Sequence, residues 1–179
     1  MDIIVGGRSV LLTYCTNVHP SDDLASLAQS LDETTARVAR AVCPDSRFGL
    51  GLRLGEAQLA ELTSSPAARA RFDEVLTRNQ YFVFTINGFA QTPFHERRVK
   101  ESVYRPDWTD PARTRYTLGL AGCLAGWLPA DDRFGTISTV PIGWRKDVLD
   151  RMDAAASQIW SLVGGLARLE QEVGAYIMV

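Results

Sequence analysis

The chain has 179 residues, a formal net charge of −2 and 46% hydrophobic residues, which is the composition of one ordinary globular domain. This charge balance does not favour a nucleic-acid partner, and no apolar segment approaches the roughly 18 residues of a membrane-spanning helix. Cys15, Cys43 and Cys123 form no CxxC pattern and predict neither a disulfide framework nor a zinc site. We therefore expect a soluble, cytoplasmic protein without a signal peptide or membrane insertion.

The first half of the chain alternates between strand-like and helix-like segments. Residues 9–15 form a continuous apolar run of strand length, and Ser21 is predicted to cap the helix that follows and stops before Pro44. Residues 48–54 predict a second strand. Two short helices come next, and Pro66 is expected in the first turn of the second one.

The second half continues the alternation. Residues 81–86 predict the third and most apolar strand, and residues 87–108 follow with no clear helix or strand period. Asp110 and Pro111 are expected to begin a helix. Residues 135–140 predict a fourth strand, a long helix is expected to end at Gly174, and residues 175–179 predict a fifth, buried strand.

Repeated β-α units predict an α/β fold with a parallel sheet and right-handed crossovers. Two closures fit the pattern: an open, doubly wound sheet, or the first half of a (β/α)8 barrel, which usually needs about 250 residues. No glycine-rich phosphate-binding motif follows a strand, which disfavours the nucleotide-binding versions of the open sheet. In both architectures ligands bind beyond the carboxyl ends of the strands.

Polar side chains stand at these carboxyl ends. Asn17 and His19 follow the first predicted strand, Arg53 ends the second and Asn87 follows the third. His19 suits a metal ligand, an acid or base, or a sugar-binding group, and alternatively a turn before Pro20. The two asparagines either contact a ligand or form turns. Arg53 suits a carboxylate or phosphate oxygen, or a structural ion pair.

The segment from residue 89 to residue 108 is the stronger functional signal, since long irregular segments in compact domains tend to be functional. It is rich in aromatic residues and carries His95 and Arg98 among four cations and few carboxylates, a set that would attract an anionic group such as phosphate. A short solvated helix is the alternative. His19 and His95, the two histidines of the chain, could share a divalent metal ion on one rim, although two histidines form an incomplete ligand set.

Several strings together resemble the amino-terminal half of the EboE-type metabolite-traffic family. They are LTYCTNVHP, FGLGLRL, FTINGF, FHERRVKESVYRPDWTDPAR and ISTVPIGW. The resemblance implies a xylose-isomerase-like barrel, related in fold to sugar-phosphate isomerases and epimerases, and a cytoplasmic protein that handles a small metabolite. It also implies that the family's chain continues past the fifth strand, where the wider superfamily carries its metal-binding carboxylates.

The fold predicted from the resemblance is one partial barrel domain over residues 1–179, with about five parallel strands. The predicted ligand is a small, sugar-like metabolite, either neutral or anionic, held by Asn17, His19, Arg53, Asn87, His95 and Arg98, with a divalent metal as the candidate cofactor. The alternatives are a non-catalytic binding or trafficking component and an inactive remnant. Because half a barrel leaves open strand edges, we also expect either a second copy of the chain or a carboxyl-terminal half to cover them.

Overall fold

The computed structural model describes residues 1–89, 91 and 102–179. The strands are β1 (Asp2–Val5), β2 (Arg8–Leu11), β3 (Tyr14–Cys15), β4 (Phe48–Arg53), β5 (Tyr81–Asn87), β6 (Phe134–Ser138) and β7 (Tyr176–Met178). The α-helices are α1 (Leu24–Ser30), α2 (Ala36–Val42), α3 (Glu56–Ser64), α4 (Pro66–Arg78), α5 (Pro111–Trp127), α6 (Arg145–Val148) and α7 (Met152–Val173). A π-helical segment, Leu31–Thr35, joins α1 to α2. None of the helices in these described ranges is both long and apolar enough to cross a membrane.

Five strands form one parallel sheet in the sequential order β3-β4-β5-β6-β7. The predicted α/β fold with a parallel sheet is therefore confirmed. A doubly wound sheet reverses its strand order at a switch point, whereas singly wound βα repeats add each new strand on the same side. The observed order is of the second kind.

The hydrophobic core lies between the helices and one face of this sheet. Leu50 and Val83 pair across β4 and β5, Ile86 pairs with Ile137, and all four are buried in the same cluster as the inner faces of the helices. The alternate positions point to the other face, because successive side chains of a strand point in opposite directions. The main helix contributions to the core are Leu27, Leu62, Phe72, Leu120 and Leu124.

The sheet face opposite the helices is largely uncovered toward β7. Tyr176 is 53% exposed and Met178 is 50% exposed, and Phe134 on the neighbouring strand is also exposed. The fifth strand was predicted to be buried, and this is wrong for two of its three residues, since only Ile177 faces the core. Parallel sheets are normally covered on both faces, so this face is unusual for a parallel sheet.

The predicted first strand is also corrected. Residues 9–15 do not form one strand: Arg8–Leu11 pairs antiparallel with Asp2–Val5, and only Tyr14–Cys15 joins the parallel sheet. Gly6 and Gly7 have φ angles of +58° and +76°, which suits the tight turn of a two-residue hairpin. The amide of Leu12 donates to the Met1 carbonyl at 2.8 Å, which closes the hairpin at its base.

The predicted start of α5 and end of α7 are confirmed, whereas the predicted cap of α1 is not. Asp110 caps α5 by accepting a hydrogen bond from the Ala112 amide at 2.8 Å, and Gly174 ends α7 in the left-handed conformation. Ser21 was predicted to cap the first helix, but Asp23 does so, accepting from the Ser26 amide at 2.7 Å. Ser21 is buried, and its oxygens accept hydrogen bonds from Gln58 instead.

Candidate functional site

Three polar residues lie in one row at the carboxyl edge of the sheet. Arg53 on β4 is in register with Asn87 on β5, and Asn87 is in register with Ser138 on β6. Residues in register on parallel strands point to the same face, so the row lies on the face opposite the helices. The Ser138 hydroxyl donates to Asn87 Oδ1 at 3.1 Å, which joins two members of the row directly.

Asn87 forms the turn that is one of the two roles suggested by its sequence position. Its Oδ1 accepts a second hydrogen bond from the Phe89 amide at 3.0 Å, which is the asparagine turn expected of an Asn-Gly pair. A Cβ on Gly88 would lie 2.9 Å from Leu120 Cδ1, so glycine is needed where the chain passes over α5. The Nδ2 group of Asn87 makes no hydrogen bond within the described residues and is available to donate to a ligand.

Arg53 is buried at the end of β4 and connects two strand ends. Its amide donates to Thr16 Oγ1 at 2.8 Å, which fixes the end of β3 against β4. Its guanidinium extends toward the start of α3, where Nη2 would lie 3.9 Å from a Cβ on Gly55. Arg53 is one of the residues that line a cavity of about 280 Å³ there. Arg53 therefore links the row to the loop that precedes α3.

Asn17 and His19 lie just after β3 and are not members of the row. Asn17 is exposed within the 3₁₀ turn Thr16–Val18. His19 Nε2 lies 2.9 Å from the Tyr14 hydroxyl, and the Tyr14 ring packs on Phe48 in the core beneath the helices. Partial burial lowers the pKa of His19. Within the described ranges, no hydrogen bond or ring contact joins Asn17 or His19 to the row.

His95 and Arg98, the other predicted ligand contacts, lie outside the described residues. Arg105 is described and pairs with Asp147 at the start of α6, so it contributes to an ion pair there. No group of three or more histidine, cysteine or acidic side chains is arranged for a metal ion in residues 1–89, 91 and 102–179. The divalent metal shared by His19 and His95 stays a prediction.

Sequence reasoning overlooked Arg113, which is fully buried in the first turn of α5. Its Nε donates to the Pro106 carbonyl at 2.8 Å and its Nη1 donates to the Gly88 carbonyl at 2.9 Å. These carbonyls lie at the two ends of the segment between β5 and α5, so one side chain holds both ends. Burial lowers the pKa of the guanidinium.

The sequence did contain a signal for Arg113. It is three residues before Tyr116 and seven before Leu120, and therefore lies on the apolar stripe of α5. A charged residue on such a stripe has to be hydrogen-bonded if it is buried. Tyr116 on the same stripe donates its hydroxyl proton to the Leu54 carbonyl, and burial raises the pKa of Tyr116 to about 12.

The turn before α5 is held by buried polar groups. Asp107 Oδ1 accepts from the Thr109 amide at 2.9 Å and from the Thr109 hydroxyl at 2.6 Å. Trp108 is buried, and its Nε1 donates to the Val140 carbonyl at 3.2 Å. The Trp108 bond docks this turn against the chain just after β6, on the same edge of the sheet as the row.

No protein-family model matches this chain, and neither a curated protein nor a solved structure matches it. The resemblance to the EboE-type family therefore depends on the sequence motifs alone, and function has to be argued from the geometry of the row. Arginine, asparagine and serine side chains all carry hydrogen-bond donors, and these three end adjacent strands. Such a set suits a small ligand that carries hydroxyl or acidic oxygen atoms.

Proposed function

We propose that the carboxyl edge of the parallel sheet binds a small polar metabolite that carries an acidic group. The observation that carries this proposal is the row of Arg53, Asn87 and Ser138 on three adjacent strands. Ligands of parallel α/β folds bind at this edge, because the strand ends and their loops place polar groups there around a common rim. Arg53 supplies positive charge, while Asn87 Nδ2 and the Ser138 hydroxyl select for polar oxygen atoms.

The wider proposal is that the chain is the amino-terminal part of an EboE-like, barrel-type metabolite-handling protein. The sequential strand order and the motif resemblance support it. In that proposal Asn17, His19, His95 and Arg98 add further contacts from the loops around the same rim. The uncovered sheet face would be the inner wall of the barrel, and further βα units or a second copy would cover it.

The binding proposal is tested by titrating the protein with sugar phosphates and sugar acids and following its amide resonances by NMR. Asn87→Asp keeps the oxygen that accepts from Phe89 but replaces the donor Nδ2 with a negative oxygen. We expect this variant to weaken binding at least about tenfold, because an acceptor in the ligand then faces a carboxylate. Ser157→Ala on exposed α7 is the control and should bind normally. Equal binding by the Asn87 variant would refute the proposal.

The catalytic and non-catalytic versions of this proposal differ in whether the protein converts its ligand and whether it needs a divalent metal to do so. In the isomerases and epimerases that the family resembles in fold, a divalent metal polarises a carbonyl while a carboxylate moves the neighbouring proton. His19 is the one described residue proposed as a ligand, so we assign no step to a metal here. Aldose–ketose conversion that depends on Mg²⁺ or Mn²⁺ would support an isomerase or epimerase. Binding without turnover would support a trafficking component. The absence of both binding and turnover would indicate an inactive remnant.

A further inference from the structure

Two cavities beside the start of α3 share Glu56 and Gln91 in their walls. One has a volume of about 280 Å³ and also touches Arg53, and the other has a volume of about 550 Å³ and extends toward the start of α5. The backbone carbonyl of Gln91 accepts from the Glu56 amide at 2.9 Å, which fixes Gln91 against the helix. Gln91 is thus held at the junction of both spaces.

The side chain of Gln91 is only 3% exposed, yet its Oε1 has no hydrogen-bond partner within the described residues. Gln58, in the wall of the smaller cavity, shows the usual arrangement. Its Oε1 accepts from the Gly55 amide at 2.7 Å, and its Nε2 donates to the carbonyls of Ser21 and Asp23 at 3.2 Å each. A buried carbonyl without a donor is costly, so Gln91 marks a place where a donor is missing.

The charges around the smaller cavity indicate which donor fits. The charged residues of its wall, among those that the structure describes, are Asp22, Glu56 and Arg53. Carboxylates together with an amide oxygen favour a cationic donor such as an ammonium group over a neutral hydroxyl. The guanidinium favours a carboxylate, which it binds through paired hydrogen bonds. A ligand that carries both an ammonium group and a carboxylate matches both kinds of group.

We propose that this cavity binds a small zwitterion of the amino-acid type. The ammonium group donates to Gln91 Oε1 and to the Glu56 carboxylate, and the ligand carboxylate lies against Arg53. The inference rests on the proposed function and deepens it, because it names a ligand class for the part of the rim beside Arg53. It also adds Gln91, a residue that no motif indicated, to the residues that recognise the ligand.

The test compares three ligands that each contain three carbon atoms: β-alanine, propionate and propylammonium. β-Alanine carries both charged groups, propionate carries only the carboxylate, and propylammonium carries only the ammonium group. Binding to the whole chain is measured by NMR titration or calorimetry. We expect wild-type protein to bind β-alanine at least about tenfold more tightly than either of the others, because a missing donor leaves the amide oxygen unpaired.

Gln91→Leu should reduce β-alanine affinity to the level of propionate, whereas Gln29→Leu, at an exposed position on α1, should leave it unchanged. Gln91→Asn serves as a second variant if leucine impairs folding, and should reduce affinity by a smaller factor. The ligand comparison on wild-type protein needs no variant at all.

The inference is overturned if propionate or propylammonium binds as tightly as β-alanine, if none of the three binds, or if Gln91→Leu preserves the preference. These outcomes leave the proposed function to its own test, the loss of metabolite binding in Asn87→Asp. Conversely, loss of β-alanine binding in Gln91→Leu together with unaffected sugar-acid binding in Asn87→Asp would support the zwitterion site and refute the role of the row.

Discussion

Arg113 contacts both ends of the segment that joins β5 to α5. Its guanidinium donates to the carbonyls of Gly88 and Pro106, and its side chain is fully buried. Arg113→Met keeps much of the volume and removes both donors. We expect the free energy of unfolding to fall by about 2–5 kcal/mol, because two carbonyls lose their partners. Urea denaturation followed by circular dichroism measures this change.

Arg37→Met is the matched control for that variant, because Arg37 is exposed on α2. Its effect should stay within about 0.5 kcal/mol, as is usual for surface substitutions. If both variants unfold at the same urea concentration, the buried guanidinium does not stabilise the segment as described. Metabolite binding should weaken in Arg113→Met, because Gly88 is adjacent to Asn87.

Tyr81 gives the protein a dependence on alkaline pH. Its hydroxyl donates to the Leu31 carbonyl at 2.8 Å, and burial raises its pKa from 10.0 to about 12. Since the folded pKa is above the unfolded one, this contribution is complete below about pH 10 and is lost as the pH rises through about 12. We expect the free energy of unfolding to fall by up to about 1.4 kcal/mol per pH unit in that window.

The check is urea denaturation of wild-type protein and Tyr81→Phe between about pH 9 and pH 11. The variant should lose about 1 kcal/mol at the lower pH, from the missing hydrogen bond, and show a shallower decline. A residual slope is expected, because burial also raises the pKa of Tyr116 to about 12. Identical slopes for both proteins would contradict the assignment to Tyr81.

How far the sequence predicts the site depends on what each residue contacts. Arg53 and Asn87 could be placed at one rim because each ends an apolar strand, and strand ends of a parallel sheet share an edge. The burial of Gln91 and the partners of Arg113 could not be predicted, because they depend on groups that come together only after the chain has folded. His19 was placed at the correct strand end, but its direction toward Tyr14 is set by packing at the sheet edge.

At the scale of elements, turn residues determine the strand boundaries in residues 9–15, where the apolar pattern alone is misleading. Residues 9–15 read as one strand because nearly all of them are apolar or β-branched. The Gly6–Gly7 pair instead sends the chain back along Asp2–Val5, and Leu12 and Thr13 lie between the hairpin and the two-residue strand β3. Longer elements with clear ends, such as α5 and α7, were predicted correctly, since Asp110, Pro111 and Gly174 mark their ends.

Replacing a glycine by alanine is expected to change the free energy of unfolding in opposite directions at the end of α7 and inside α5. Gly174 has a φ of +67°, and nothing lies within 4 Å of the position that a Cβ would take. Gly174→Ala should therefore destabilise the protein by about 1 kcal/mol through backbone strain alone. Thermal unfolding and urea denaturation both report this change.

Gly122 is the matched site, because it lies inside α5 and a Cβ there would also meet nothing within 4 Å. Gly122→Ala should stabilise the protein by about 0.5–1 kcal/mol, since alanine is the better helix former and restricts the unfolded chain. The same substitution is thus expected to act in opposite directions. Destabilisation of similar size at both positions would contradict the assignment of the effect to backbone conformation.

At the scale of the whole molecule, the second face of the sheet is covered beside β4, where Leu12 O would lie 2.5 Å from a Cβ on Gly49, but it is largely uncovered toward β7. Phe82 stacks on Phe84, with ring centroids 5.4 Å apart, and Phe134 stacks on Tyr176 at 5.9 Å, all on strands whose other face holds the core. These aromatic pairs cover part of the open face with its own side chains. The edge strand β7 and the outer face of α7 continue the apolar surface, which predicts that something packs against them.

Trp160 offers the most direct test of that surface, because its side chain on α7 is 75% exposed. We expect the isolated chain to associate at micromolar concentrations in sedimentation velocity, and Trp160→Glu to shift it toward monomer. The melting temperature of the monomer should change little, since an exposed side chain contributes little to the fold. Ser157→Glu adds the same charge to an exposed position of the same helix and should leave association unchanged. A wild-type chain that stays monomeric at every concentration, melts cooperatively and binds no hydrophobic dye would show that this face needs no partner.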